Sequence, residues 1–133
     1  MTNPDFSKYK ILIVEDDPVC SLYLKDLLED TGANVIAVGN ASDAIFAVHH
    51  NSDIDVILMD IQLPDMSGWQ ATRIIKKVKK NMPVIFQSAY AFDSYIKKSY
   101  ESGGDFFIAK PIDTDLLFDY IVKAIQKYHP SEE

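Results

Sequence analysis

Along this chain, short apolar runs alternate with segments whose apolar residues recur at helical spacing. The runs at 10–14, 54–59, 84–86 and 106–109 are rich in Ile, Val and Phe. Runs without polar alternation are the pattern of strands covered on both faces. A weaker run at 34–38 predicts a fifth strand, at an edge. The first predicted helix starts at Asp17, a good N-cap followed by Pro18, and stops at Gly32. Further helices are expected over about 42–50, 68–80, 93–102 and 114–127. Cys20, Leu24, Leu27 and Leu28 fall on the core side of the first helix, leaving Pro18, Val19 and Leu22 outside. Strand–helix alternation of this kind predicts an α/β fold, a doubly wound five-stranded parallel sheet with five helices. One domain is expected at 9–128, with flexible tails at 1–8 and 129–133.

Residues with chemistry stand at the ends of four of the strands. Glu15 and Asp16 follow the first, Asp60 the third, Ser88 the fourth, and Lys110 with Pro111 the fifth. In an open α/β sheet, ligands bind outside the carboxyl ends of the strands, so distant residues are expected to meet there. Carboxylates crowded at that edge repel unless a hard cation joins them, and Mg²⁺ favours carboxylate oxygens. A hydroxyl and an ammonium opposite the metal suit an anion, most plainly a phosphoryl group. Pro111 fits a cis peptide after Lys110, a form that only X-Pro bonds adopt cheaply. A lone Asp in such a place is usually a cap or turn residue. The weight rests on the constellation.

The order and spacing of these residues resemble the receiver domain of two-component response regulators, from about Tyr9 to Tyr128. Segment 59–68 (MDIQLPDMSG) looks like that family's phosphorylation-site stretch. Segments 15–19 (EDDPV) and 68–73 (GWQATR) are similar to receivers attached to hybrid histidine kinases. The resemblance implies the flavodoxin-like strand order 2-1-3-4-5. It makes Asp60 the phosphoacceptor, with Lys110 and Ser88 beside the phosphoryl group. It gives Mg²⁺, which Mn²⁺ is expected to replace, three ligands: Asp16, Asp60 and the backbone carbonyl of Gln62. Glu15 then reaches the metal through water, and no organic cofactor is implied. Ser88, Ala89 and Phe107 form the switch; tyrosine is frequent at the position of Phe107, so no phenol is on offer here. Gln62 and Tyr90 tune the lifetime of the aspartyl phosphate. Pro18, Val19, Leu22, Pro111 and Ile112 are expected to dock the donor, a histidine kinase or histidine phosphotransfer protein. The surface around the fourth and fifth helices, with Phe92 and Tyr95, would carry the output, to an unnamed protein partner or to a second copy of the chain. The implied role is signalling, with at most self-phosphorylation from donors and slow autodephosphorylation.

Composition narrows the rest. A net charge of −7 argues against nucleic acid as a partner. A single cysteine allows no internal disulfide and points to a reducing cytoplasm. No stretch approaches the roughly 18–20 apolar residues of a membrane span, and no signal peptide is evident. Arg73, Lys76, Lys77, Lys79 and Lys80 form a basic cluster that reads as a solvated helix end. The alternative function is a Mg²⁺-dependent phosphohydrolase of the haloacid-dehalogenase kind, working through an aspartyl phosphate. That family places a second Asp two residues after the nucleophile, where this chain has Gln62. A dinucleotide-binding domain fails at the first turn, where Glu15, Asp16, Asp17 and Pro18 replace the required glycines.

Overall fold

The computed structural model describes residues 3–129. Strands β1 (Lys10–Val14), β2 (Asn34–Val38), β3 (Val56–Asp60), β4 (Val84–Ser88) and β5 (Phe106–Ala109) form one parallel sheet. Their order is β2-β1-β3-β4-β5, so β2 and β5 are the edges. Helices α1 (Pro18–Glu29), α2 (Ala41–His50), α3 (Gly68–Val78), α4 (Asp93–Glu101) and α5 (Thr114–Tyr128) connect the strands or follow the last. The expected doubly wound architecture is therefore observed. β3 begins two residues later than its apolar run, because Asp55 turns its carboxylate to the Lys10 backbone N–H at 2.8 Å.

Two cores sit on the two faces of the sheet. Ile11, Ile13, Leu58 and Ile85 pack with Leu24 and Leu28 of α1 and with Leu117 and Ile121 of α5. On the other face, Leu12, Ile57, Met59 and Phe86 pack with Ala44 and Val48 of α2 and with Ala71 and Ile75 of α3. The central strands β3 and β4 are buried at every position. That explains why their sequences show no alternation.

Four helices start on a side-chain cap. Asp17 accepts from the Val19 N–H, Asn40 from Asp43, Ser67 from Gln70 and Asp113 from Leu116. Each cap satisfies a backbone donor and contributes about 0.5–2 kcal/mol. Helix α4 is the exception. It follows Phe92 with no side-chain cap and buries only Ser99. With few buried contacts, α4 belongs to the weakly held part of the fold.

Three features differ from the sequence-based expectations. Phe6, inside the stretch expected to be a flexible tail, is buried, and its N–H donates to the Thr31 carbonyl at 2.8 Å. Its ring meets Phe118 edge-on at 5.7 Å, so the chain is anchored before β1. Residues 1–2 and 130–133 of the expected tails lie outside the described residues. Cys20 is only half-buried, its Sγ donating to Asp17 Oδ2 at 3.5 Å. The core face of α1 narrows to Leu24 and Leu28. The run 106–109, expected to be covered on both faces, leaves Phe106 and Phe107 each only half-buried, on opposite faces, because β5 is an edge.

Gln87 is an oddity of the sheet. It is fully buried in β4, and neither Nε2 nor Oε1 has a hydrogen-bond partner. An unsatisfied buried polar group costs about 1–3 kcal/mol.

Candidate functional site

The sheet's carboxyl edge gathers the polar residues that follow the strands. Asp60 ends β3 and Ser88 ends β4, while Glu15 and Lys110 come directly after β1 and β5. Together with Asp16, Gln62 and Tyr90 they line a cleft of about 240 Å³. Glu15, Asp60 and Ser88 are buried, Lys110 is half-buried and Asp16 is exposed. The Lys110–Pro111 peptide is cis, as expected from the sequence.

Backbone geometry fixes Asp60 from two sides. The Gln62 N–H donates to Asp60 Oδ1 at 3.4 Å. Behind it, the start of α3 presses against the strand end, with the Gly68 N–H donating to the Ile61 carbonyl at 2.7 Å. A Cβ at Gly68 would lie 2.1 Å from the Asp60 carbonyl oxygen, so only glycine allows this approach. Asp65 then pins the loop between them to α2. Its two carboxylate oxygens accept the Ala41 and Ser42 N–H groups, each at 2.9 Å. These bonds lower the Asp65 carboxyl to about 2.

Charge in the cleft is unbalanced. Lys110 Nζ lies 2.6 Å from Glu15 Oε2 and 3.7 Å from Asp60 Oδ2, one ammonium serving two buried carboxylates. Burial raises the Asp60 carboxyl first, and the charge and hydrogen bonding of Glu15 raise it further. Lys110 and the Gln62 N–H oppose this without prevailing, so Asp60 sits at about 7 instead of 3.8. Burial disfavours the Lys110 ammonium, but the Glu15 bond and both negative charges outweigh it and raise its value.

One oxygen from each of Glu15, Asp16 and Asp60 lies within 4.8 Å of the others. A donor set made only of carboxylate oxygens suits a hard divalent cation. The raised Asp60 carboxyl makes the same point, since added positive charge there would let it ionise. The residues therefore fit a divalent ion of the Mg²⁺ kind.

Ser88 is oriented by its own turn. Its Oγ accepts the Tyr90 N–H at 3.0 Å, which leaves the hydroxyl proton to be given elsewhere. Ala89 and Tyr90 are exposed beside it. Phe107 lies on the α3 side of the sheet, packed against the core that holds Phe86, whereas Phe106 stacks on Tyr120 at 4.6 Å.

The expected docking residues divide. Val19, Pro111 and Ile112 line one apolar hollow of about 300 Å³ beside the cleft. Pro18 and Leu22 are exposed on α1 outside that lining, Leu22 at 60%. Tyr23, Leu24, Cys20 and Gln87 line it as well, and sequence reasoning did not place them there. Gly68 and Asp65 were also missed as positioning residues. The signal available for both was their place in segment 59–68, beside Asp60.

The fold is a doubly wound α/β sheet with an acidic cleft at its carboxyl edge, and comparison with known proteins gives the family. Residues 11–122 match the response regulator receiver domain. The chain belongs to that family. It is 34% identical over 119 residues to the sensor protein GacS of Pseudomonas syringae pv. syringae, covering 86% of this chain and 13% of that protein. It is 33% identical to hybrid signal transduction histidine kinase I of Dictyostelium discoideum, covering 90% of this chain and 7% of the kinase. The chain thus spans a small part of these curated relatives. Among solved structures, it superimposes on a two-component response regulator from Clostridium difficile with a TM-score of 0.82 and 31% identity. That match covers 90% of this chain and 96% of the other. A CheY-like receiver domain protein from Methanospirillum hungatei gives a TM-score of 0.85 at 27% identity, covering 92% and 98%. The protein is a receiver domain of two-component phosphorelay signalling, and receivers work with histidine kinases or phosphotransfer partners. No helix among the described residues is long and apolar enough to cross a membrane.

Proposed function

We propose that Asp60 accepts a phosphoryl group from a phosphohistidine on a histidine kinase or histidine phosphotransfer protein. An Asp60 carboxylate oxygen attacks phosphorus, the P–N bond breaks, and its electron pair stays on the imidazole nitrogen, which takes a proton. The observation that carries this reading is the geometry of the cleft: oxygens of Glu15, Asp16 and Asp60 lie within 4.8 Å of one another, with one shared ammonium 3.7 Å from Asp60 Oδ2. Glu15, Asp16 and Asp60, with the Gln62 carbonyl, would hold Mg²⁺ or Mn²⁺, Glu15 acting through water. When bound, that ion supplies positive charge for the crowded carboxylates and the transferred oxygens. Lys110 turns its ammonium from Glu15 to a phosphoryl oxygen. Ser88 gives the new group its free hydroxyl proton.

The switch follows from the same atoms. Drawing Ser88 inward opens space beside Ala89 that Phe107 can enter from its half-buried place on the edge strand. Helix α4, uncapped and thinly buried, is the element such a bias moves most easily. The surface around α4 and α5 then meets an output protein or a second copy of the chain. Gln62 and Tyr90, at the mouth of the cleft, set how fast water removes the phosphoryl group. Turnover stays limited to self-phosphorylation and slow autodephosphorylation. The reading places the chain in a reducing cytoplasm, with no nucleic-acid partner.

Intact mass after incubation with acetyl phosphate and Mg²⁺ tests the proposal. A gain of about 80 Da in the wild type, absent without metal, is expected. Phosphate release with no adduct at any time point would overturn it.

A further inference from the structure

Beside the phosphoryl cleft, the apolar hollow lies between α1 and the segment after β5. Val19, Tyr23 and Leu24 form one wall, and Pro111 and Ile112 the other. Lys110 lines both the hollow and the cleft, so an occupant of one sits next to Asp60 in the other. Gln87 is the only carboxamide in this lining. It pairs in register with Asp60 on one side and Ile108 on the other, on the face where Ile85, Ile108 and Leu117 form the core. An apolar side chain would suit that face. Instead a carboxamide stands there with both ends unpartnered.

Ordered water answers this poorly, because a buried water needs about two to four polar partners and the walls are largely apolar. A carboxylate would meet Nε2 alone and an ammonium Oε1 alone. A second carboxamide presents a donor and an acceptor together and meets both. Val19, on the rim of the hollow, is 75% exposed and Leu22, outside it, 60%, so the apolar surface continues along α1. That extended stripe fits a helix lying in a groove better than a free small molecule. Gln87 is fully buried, so its side chain must rotate into the hollow to meet a partner; a rotamer change of this kind is a common adjustment when such surfaces meet.

Resting on the receiver reading above, we propose that Gln87 selects the phosphodonor by pairing with an Asn or Gln side chain on the donor's docking helix. A donor with an apolar residue at that point leaves the Gln87 pair unmet and docks less well. Discrimination of this kind, by an unpaired polar group, needs no repulsive contact.

The test compares the intact chain with Gln87→Leu, using two kinds of donor. Acetyl phosphate needs no groove and is expected to label Asp60 in both proteins at rates within about twofold. The thermal midpoint of Gln87→Leu is expected at or above that of the wild type, since the unmet amide is gone. The second donors are phosphohistidine-loaded histidine phosphotransfer domains of the same organism. With the preferred one, Gln87→Leu is expected to need about tenfold more donor for half-maximal transfer. Changing the donor's facing Asn or Gln to Leu should restore transfer to Gln87→Leu while impairing transfer to the wild type. Equal transfer to both proteins, loss without that restoration, or a preferred donor with no carboxamide at the groove would each overturn the proposal. So would a set of donors from which none transfers. Failure of acetyl phosphate to label the wild type would instead overturn the receiver chemistry on which it rests.

Discussion

Asp60 at the carboxyl edge of the sheet and Asp105 at the amino edge, just before β5, are each 7% exposed, yet their surroundings are opposite. Asp105 takes Lys76 Nζ at 3.1 Å, Lys127 Nζ at 2.7 Å, the Tyr128 hydroxyl at 2.6 Å and the Val84 N–H at 2.8 Å. Burial alone would raise its carboxyl, but these four partners outweigh it and the net shift is downward. Asp60 shares one ammonium with Glu15 and is pushed up to about 7. The same residue type, buried in both places, thus meets two opposite electrostatic settings. Asp105 is saturated and ties α3, β4 and α5 together at one edge. Asp60 is left short of positive charge where a cation and a phosphoryl group are expected to arrive. Local charge balance, not burial, separates the saturated carboxylate from the charge-starved one.

Exchanging the two side chains for neutral ones should break the comparison most sharply. Asp60→Asn is expected to abolish labelling by acetyl phosphate completely, while the denaturation midpoint of the metal-free protein holds or rises. Loss of labelling together with unfolding would remove the contrast. Asp105→Ala is expected to leave labelling intact and to cost about 3–5 kcal/mol, because two ammonium groups lose a buried partner. Urea denaturation of both variants measures this. A cost below about 1 kcal/mol would make Asp105 a mere surface pair.

How far each edge could be read from the sequence differs for physical reasons. The carboxyl edge was legible because parallel sheets collect their strand ends there. Finding four apolar runs therefore brought Glu15, Asp60, Ser88 and Lys110 together without coordinates. The start of α1, with Asp17 as cap and Pro18 as first helical residue, was legible by local chemistry alone, while the strand order came only through family resemblance. The amino edge was opaque. An Asp before a strand reads as a turn residue, and nothing in the spacing tells that Lys76, Lys127 and Tyr128 converge on Asp105. Phe6 was opaque because a single aromatic in a polar stretch has no period to follow. Gln87 went unplaced and Cys20 was assigned to the core for a related reason: periodicity assigns a face, but not the seam between an apolar groove and a core. Gly68 stood in the phosphorylation-site segment, yet its need for close approach to Asp60 appears only in three dimensions.

Acidity should sharpen the contrast, since the two carboxyls move stability in opposite directions. The Asp60 carboxyl rises from 3.8 to about 7 on folding, so the folded chain holds a proton that the unfolded chain releases. Its favourable contribution is full below about pH 4 and is lost as pH rises through about 7. Asp105 has a lowered folded value, so its contribution holds above 3.8 and is lost only as pH falls through that lowered value. In denaturation without divalent ions, the wild type is expected to lose stability relative to Asp60→Asn as pH rises from about 4 to about 7, and to run parallel to it above that. Adding Mg²⁺ should stabilise the wild type most at the alkaline end, where Asp60 must ionise. A wild type and Asp60→Asn with parallel pH profiles would show that Asp60 is not the raised group.

The smallest expected effect asks whether both lysines are needed at Asp105. The Lys127 side chain is 54% exposed, whereas that of Lys76 is 14% exposed. Water screens Lys127 even though its contact, at 2.7 Å, is the shorter one. Lys127→Met keeps an apolar stem but removes the charge, including the Nζ that lies 5.5 Å from the Tyr128 ring centre, and is expected to cost about 1 kcal/mol or less. Lys76→Met removes the buried ammonium, which also donates to the Tyr128 hydroxyl at 3.1 Å, and should cost more. Urea midpoints of the two variants, read beside Asp105→Ala, give the ranking. Were Lys127→Met the costlier of the pair, contact distance would outrank burial at this edge. The charge starvation of Asp60, whose one cation is itself half-buried, would then need the same reweighting.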